Sequence, residues 1–305
     1  MVAAMVRIPA FLKPGDCIAL ISPSRFAEPE QIAAAEDFAS AHNWQIIAAP
    51  GLGGSEGQLG GSDQARADQI NAALADPRVR AVWSVRGGYG AVRAVDLIDW
   101  NLLDRDPKWL VGFSDFTVLL AHSYRRNFAS MHGPMAIQLA RTASDETFEA
   151  LADALKGSPK ILKTSFDGPD FSLQGSLIGG NLSVLYSLLG SSSFPDLSGC
   201  ILAIEDLDEY HYHLDRMMQG LRRAGVFNGL AAVAVGSFSD LKDHDLPFGR
   251  SWSQIVRDAI PSGIPVVEGF GFGHESRNLT FIHGLAHDLS ATSGHAVLRP
   301  LLPSA

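Results

Sequence analysis

The first half of the chain alternates short apolar runs with helix-like segments, and this alternation restricts the fold more than any other feature. The apolar runs predict buried strands at residues 17–22, 44–49, 81–85 and 109–113. The segments between them predict helices at residues 29–42, 62–75 and 91–98. Such alternation is typical of a parallel sheet covered by helices on both faces, a Rossmann-like or flavodoxin-like α/β fold. Ligands of such sheets bind at the carboxyl ends of the strands.

The order of strand-like and helix-like segments is different in the second half, which indicates a second domain. Residues 157–175 are rich in Pro, Gly, Ser and Asp, so we predict an N-terminal domain over residues 1–165 and a C-terminal domain over residues 166–305. Helix-like and strand-like segments both follow, which favours a smaller mixed α/β domain. The helices are predicted at 182–189 and 214–224, and the strands at 200–204, 230–237, 265–268, 279–282 and 296–298.

Composition narrows the classes of protein and partner. The chain has 305 residues, of which 46% are hydrophobic and 19% charged, enough for one large or two ordinary cores. Its net charge is −9 without a Lys/Arg-rich tract, so we expect neither nucleic acid nor a membrane surface as partner. The two cysteines, Cys17 and Cys200, lie far apart in apolar runs, which favours buried free thiols and a cytoplasmic location. Residues 1–12 hold no long apolar stretch, so a secretory signal is not expected.

Ser114 lies at a switch in hydrophobic pattern. An apolar strand at 109–113 precedes it, and the apolar segment 116–121 that follows predicts a helix. A serine at a strand-to-helix turn is raised out of the sheet, beside free amides that can hold an oxyanion. The alternative is a helix N-cap, the commoner role for a serine before a helix. The G-x-S-x-G pattern is not met, because Phe116 replaces its second glycine.

Glu205 and His274 each directly follow an apolar or glycine-rich segment. Glu205 follows the apolar run 201–204, and His274 follows the segment 269–273, Gly-Phe-Gly-Phe-Gly. A serine nucleophile needs a base such as histidine, and that base needs an acceptor to orient it. The alternatives are a solvated acid and a structural histidine, and no spacing rule links the three positions.

Two further segments permit several interpretations. The turn Arg-Gly-Gly-Tyr-Gly at 86–90 could cradle a phosphate, supply an amide to an oxyanion hole, or simply join a strand to a helix. It lacks the G-x-G-x-x-G spacing and the Walker lysine, which disfavours a nucleotide. The segment Tyr-His-Tyr-His at 210–213 lies near Asp206, Asp208 and Glu209 and could bind zinc. Without an H-E-x-x-H motif or clustered cysteines, we predict neither a metal nor a cofactor.

Ten collinear stretches together resemble a known family, although each alone is a weak signal. They are ISPS (21–24), VRGGYGA (85–91), IDW (98–100), GFSDFT (112–117), HGPM (132–135), GGNL (179–182), LAIED (202–206), DRM (215–217), GSFS (236–239) and GHE (273–275). They cover nearly the whole chain. The sequence resembles the LD-carboxypeptidases, serine peptidases that include muramoyltetrapeptide carboxypeptidases and microcin-immunity hydrolases.

The resemblance implies a cytoplasmic, homodimeric serine peptidase that needs no cofactor. Its substrate would be a small peptide, the murein tetrapeptide, from which it releases the terminal D-alanine next to a diamino acid during cell-wall recycling. By motif position, Ser114 would be the nucleophile, His274 the general base and Glu205 its orienting partner. The amides of Asp115 and Gly88 would form the oxyanion hole.

Arg86 is the candidate for binding the substrate carboxylate, because a guanidinium can grip a carboxylate with two parallel hydrogen bonds. A structural salt bridge at the turn is the alternative. His283 stands where the family usually has proline, which predicts a second titratable ring near the site. Two other functions remain open: a serine amidase of the same fold acting on peptidyl-nucleotide or other amides, and a ligand-binding protein without catalysis.

Overall fold

The computed structural model describes residues 6–140 and 145–303. Residues 1–5, part of the segment in which no secretory signal is expected, lie outside this description. The strands are β1 (Cys17–Ile21), β2 (Gln45–Ala48), β3 (Val79–Ser84), β4 (Trp109–Gly112), β5 (Ser130–His132), β6 (Leu162–Ser165), β7 (Phe171–Asn181), β8 (Ile201–Leu207), β9 (Ala232–Ser239), β10 (Val266–Val267), β11 (Phe281–His283), β12 (Ala286–Thr292) and β13 (His295–Pro300). The helices are α1 (Pro29–Ala41), α2 (Asp63–Ala75), α3 (Ala91–Ala94), α4 (Asn101–Arg105), α5 (Thr117–Arg125), α6 (Ala136–Leu139), α7 (Asp145–Leu155), α8 (Leu182–Ser187), α9 (His211–Arg223) and α10 (Trp252–Ala259).

The first sheet has the order β11-β5-β4-β3-β1-β2. The pairs among β1 to β5 are all parallel, whereas β11 runs antiparallel to β5. Side chains of β1 alternate between two apolar cores: Ile18 and Leu20 belong to one, Ala19 and Ile21 to the other. Burial on both faces explains why these strands are continuous apolar runs. The predicted parallel sheet flanked by helices is confirmed.

The second sheet is mixed, as predicted for the C-terminal half, and has the order β10-β9-β8-β7-β12-β13-β6. The pairs among β7, β8, β9 and β10 are parallel, whereas the pairs β7–β12, β12–β13 and β13–β6 are antiparallel. Each half also lends a strand to the other sheet. Strand β6 pairs with β13, and β11 from the second half pairs with β5. The domain boundary near residue 165 stays a prediction.

Both cysteines are buried free thiols, as the sequence predicts. Within residues 6–140 and 145–303, no helix is both long and apolar enough to cross a membrane. The carboxyl ends of β3, β4 and β8 open into one cleft of about 670 Å³, which residues from both halves line. This is the position at which an α/β sheet is expected to bind its ligand.

Candidate active site

Ser114 occupies a strained turn directly after β4. Its φ is 61°, in the left-handed region that a residue with a side chain seldom adopts. Such a conformation costs about 1–3 kcal/mol and persists only where its surroundings hold it. Gly112 permits the turn, because a Cβ there would lie 2.7 Å from the ring of Phe116.

The side chain of Asp115 stabilises this turn. Its buried carboxylate accepts a hydrogen bond from Ser24 Oγ at 2.6 Å and another from the Ala91 amide at 2.8 Å. Burial raises the pKa of this carboxyl, against the effect of those two hydrogen bonds. The chain after β1, the start of α3 and the turn after β4 are thereby tied together.

The helix-capping interpretation of Ser114 is wrong. Phe113 occupies the N-cap of the 3₁₀ turn Ser114–Phe116, and Phe116 occupies that of α5. Ser114 instead lines the cleft. A strained serine whose side chain faces a cleft at a strand-to-helix turn has the geometry of a nucleophile elbow, although its sequence lacks the second glycine of that motif.

The turn after β3 packs directly against Ser114. A Cβ on Gly87 would lie 3.0 Å from Ser114 Cβ and 3.1 Å from its Oγ. Gly88 has φ 113°, and Gly90 has φ 139° with its carbonyl accepting a hydrogen bond from Arg66 Nη1 at 2.6 Å. The contact with the serine favours the interpretation of this turn as an amide donor over that of a phosphate cradle. The oxyanion roles of Gly88 and Asp115 stay predictions.

Glu205 and His274 form a hydrogen-bonded pair in which Glu205 is buried and His274 is partly exposed. The side chain of Glu205 has no exposed surface, which removes the interpretation of a solvated acid. His274 Nδ1 donates to Glu205 Oε2 at 2.6 Å.

The pairing of β8 with β9 shifts register between Ile204 and Asp206, and the additional β9 residue marks a β-bulge. Beside that bulge, Ser237 Oγ accepts from the His274 amide at 3.1 Å.

The environment of His274 favours its protonated form. Burial acts to lower the pKa of the ring, but the charge and hydrogen bond of Glu205, with the charge of Asp206, outweigh burial and raise it. Because Nδ1 is bonded to Glu205, Nε2 is the nitrogen left to exchange a proton in the cleft. An imidazole held in this way is suited to act as a general base.

The nucleophile candidate and the histidine come from different halves of the chain and meet at the cleft. Phe113, next to Ser114, packs against His274 with ring centroids 4.7 Å apart. Within the described part of the chain, no hydrogen bond joins Ser114 Oγ to His274, and catalytic hydrogen bonds are often long until substrate binds. The three residues predicted as a triad are therefore brought to one site, while their roles stay predictions.

Arg86 also lines the cleft, as predicted, but it has neighbours within the protein. Its Nη1 lies 3.9 Å from Glu28 Oε1, and its guanidinium carbon lies 5.9 Å from the ring centroid of Phe26. Both predicted roles, a carboxylate ligand and a structural ion pair, are consistent with this position.

Asp206 is a cleft residue that the sequence analysis did not assign to the site. Its carboxylate accepts hydrogen bonds at 2.9 Å from Asn181 Nδ2, the Ser183 amide and the Leu207 amide. Burial and the neighbouring charge of Glu205 raise the pKa of Asp206 to about 7. The sequence feature that could have placed Asp206 at the site is the acidic pair 205–206 at the end of an apolar run. Asp206 fixes the start of α8 against β8 beside the histidine.

His283 does not supply the titratable ring that the sequence suggested. It is fully buried in β11, and burial, together with the charge of His132, lowers its pKa to about 3. His132, opposite Phe281 in the sheet, stacks on that ring at 4.6 Å, and burial lowers its pKa to about 4. Both rings are therefore neutral at physiological pH and belong to the core under the site.

The histidines of segment 210–213 have partners within the protein. His211 Nδ1 is hydrogen-bonded to the Arg250 carbonyl at 2.8 Å, and His213 Nδ1 to Glu209 Oε2. No group of three or more His, Cys, Asp or Glu side chains among the residues described could hold a metal ion.

Both halves of the chain match domains of one peptidase family. Residues 18–133 match the LD-carboxypeptidase N-terminal domain, and residues 174–289 match the LD-carboxypeptidase C-terminal domain. A probable murein peptide carboxypeptidase of Bacillus subtilis is 30% identical over 95% of this chain and 93% of its own. The murein tetrapeptide carboxypeptidase of Pseudomonas aeruginosa is 30% identical over 74% and 77%. The chain is thus related to peptidases.

Solved structures agree on the fold. The muramoyltetrapeptide carboxypeptidase of Oxalobacter formigenes superposes with a TM-score of 0.85 at 28% identity, over 94% of this chain and 100% of that one. The protein MccF, solved with glutamyl sulfamoyl guanosine, gives 0.83 at 21% identity over 99% and 100%, which supports the fold alone. The chain belongs to the LD-carboxypeptidase family, and the resemblance seen in the sequence is confirmed.

Proposed function

We propose that this protein is a serine LD-carboxypeptidase that releases the terminal D-alanine from murein tetrapeptides through an acyl-enzyme. The observation that carries the proposal is the 2.6 Å hydrogen bond from His274 to the buried Glu205, at the cleft that also exposes the strained Ser114. The named substrates of the Pseudomonas and Oxalobacter relatives support murein tetrapeptide as the substrate.

The reaction begins with proton transfer from Ser114 Oγ to His274 Nε2 as the oxygen attacks the peptide carbonyl. The carbonyl oxygen becomes an oxyanion, held by the amides of Gly88 and Asp115. The C–N bond then breaks, His274 gives its proton to the departing nitrogen, and D-alanine leaves. Water, deprotonated by His274, attacks the serine ester; the ester C–O bond breaks, His274 returns the proton to Ser114 Oγ, and the tripeptide leaves. Glu205 stabilises the imidazolium that forms in each half-reaction.

The raised pKa of His274 sets the pH dependence of this reaction. A base must be neutral to accept a proton, so activity rises with pH through a pKa above the ordinary 6.5 of histidine. Cell-wall recycling, a cytoplasmic location and a homodimer are part of the same proposal and rest on the family.

The decisive comparison is between two amide substrates. Purified protein is incubated with a murein tetrapeptide and, separately, with an aminoacyl sulfamoyl adenosine, and the released D-alanine or amino acid is measured. The proposal expects D-alanine release and at least about 100-fold lower kcat/KM on the nucleotide conjugate. The reverse preference would identify the protein as an amidase of the microcin-immunity type, and cleavage of neither would favour a binding protein.

A further inference from the structure

A second guanidinium, that of Arg25, lies on the wall of the cleft beside the nucleophile, and the sequence analysis did not single it out. Arg25 follows the Ser24 that binds Asp115, and it pairs with Leu59 through an isolated antiparallel bridge. Its amide also donates to the Gly87 carbonyl at 3.4 Å. The backbone of Arg25 is thus attached to the same turn that packs on the serine.

Two consecutive glycines separate Arg25 from Ser114. A Cβ on Gly87 would lie 3.0 Å from Ser114 Cβ, and a Cβ on Gly88 would lie 2.7 Å from Arg25 Cδ and 2.8 Å from its Nε. The stem of Arg25 therefore occupies the volume that a side chain at position 88 would need. One turn holds the nucleophile on one side and the guanidinium on the other.

Among the residues described, none accepts a hydrogen bond from the guanidinium of Arg25. Its Nε is buried without a hydrogen-bond partner, and within residues 6–140 and 145–303 no carboxylate forms an ion pair with Arg25. Arg86, the other arginine of the cleft, has Glu28 within 3.9 Å. A buried donor without an acceptor is unfavourable, so an acceptor brought by a ligand gains more at Arg25 than at a paired cation.

We propose that Arg25 binds the terminal carboxylate of the substrate and so restricts this enzyme to the last residue of a peptide. The inference rests on the proposed function. In a terminal D-alanine, a single carbon separates the scissile nitrogen from the carboxylate, so the cation that binds it must lie next to the nucleophile. Arg25 lines the same cleft as Ser114, separated from it by the turn at Gly87 and Gly88. Its planar guanidinium matches a carboxylate with two parallel hydrogen bonds.

The test combines arginine variants with a change in the substrate. Wild type, Arg25→Gln and Arg25→Lys are assayed on a murein tetrapeptide that ends in D-alanine and on the same peptide ending in D-alaninamide. Arg25→Gln is expected to lower kcat/KM about 100-fold on the carboxylate substrate and less than threefold on the amide. Arg25→Lys keeps the positive charge but loses the planar guanidinium that can form two parallel hydrogen bonds. We expect its kcat/KM to fall about tenfold on the carboxylate substrate alone.

Two further variants make the result specific. Arg223→Gln, an exposed change on α9 away from the cleft, serves as the control for loss of an arginine. Arg86→Gln tests the rival arginine. If Arg86→Gln removes the preference for the carboxylate while both Arg25 variants keep it, or if the Arg25 variants lose activity equally on both substrates, the inference is overturned. Wild type that cleaves neither peptide, releasing neither D-alanine nor D-alaninamide, would overturn the proposed function as well.

Discussion

Replacing Glu205 with glutamine removes one charge from the buried pair and leaves its shape almost unchanged. Glu205 Oε2 accepts from His274 Nδ1, whereas Oε1 is buried without a partner. The new NH₂ group therefore either lies unpaired at the Oε1 position or donates to Nδ1. In the second case the imidazole carries its proton on Nε2, where it cannot accept one from Ser114.

The magnitude follows from the role of the carboxylate. In serine peptidases, loss of the charge and of the correct tautomer lowers turnover about 10⁴-fold, which is about 5.5 kcal/mol of barrier. We expect a loss of 10³- to 10⁴-fold in kcat for Glu205→Gln. The pH profile should change too: without the charge that raises the pKa of His274, burial lowers that pKa, and residual activity should persist below pH 6.5.

The assay is D-alanine release from murein tetrapeptide between pH 5 and 9. Glu36→Gln, the same chemical change at an exposed position of α1, is the control and should match wild type. A Glu205→Gln enzyme that keeps turnover within tenfold of wild type, with an unmoved pH profile, would refute the reasoning.

Two further predictions concern the buried histidines and the turn that contains Gly87. Burial lowers the pKa of His132 and His287 to about 4 and that of His283 to about 3, so the folded state disfavours their protonation. Each histidine should therefore lower the free energy of unfolding by about 2 kcal/mol between pH 7 and pH 5. The raised pKa of Asp206, about 7, opposes this with a gain of about 2 kcal/mol. The three histidines together outweigh that gain, so stability should fall, and denaturant midpoints equal at pH 5 and 7 would contradict this. Gly87→Ala places a Cβ 3.0 Å from Ser114 Cβ, and we expect kcat to fall about 100-fold with folding retained. Wild-type kcat in that variant would show that the turn does not position the serine.

Most of the parallel sheet could be predicted because β1, β3 and β4 are buried on both faces and are therefore apolar runs, whereas β5, the tripeptide Ser-Met-His, carries no such signal. The exchange of β6 and β11 between the halves could not be predicted. A strand is predicted at 279–282, which overlaps β11, but no pattern in the sequence indicates which sheet it joins, and the short β6 is not predicted as a strand. The positive φ of Ser114 depends on Asp115 binding Ser24 and the Ala91 amide, contacts that span 91 and 24 residues. The residues around Ser114 in the sequence cannot by themselves predict contacts with such distant residues.

The site residues illustrate the same limit. Position in the family motifs identified Ser114, Glu205 and His274, but the complete burial of Glu205 depends on packing between β8, β9 and the loop before His274. Asp206 was considered only as a neighbour of a possible zinc site, and Arg25 was not considered, because each is an ordinary polar residue until the fold places it at the cleft. His283 appeared close to the site in sequence, yet it lies inside the first sheet.

The most direct test of the central claim is the activity of Ser114→Ala on murein tetrapeptide, measured together with binding of that peptide. The account predicts that the variant folds, binds the tetrapeptide with wild-type affinity, and releases D-alanine at least 10⁴-fold more slowly. Release within tenfold of the wild-type rate would contradict it, because the carbonyl would then be attacked by something other than this serine.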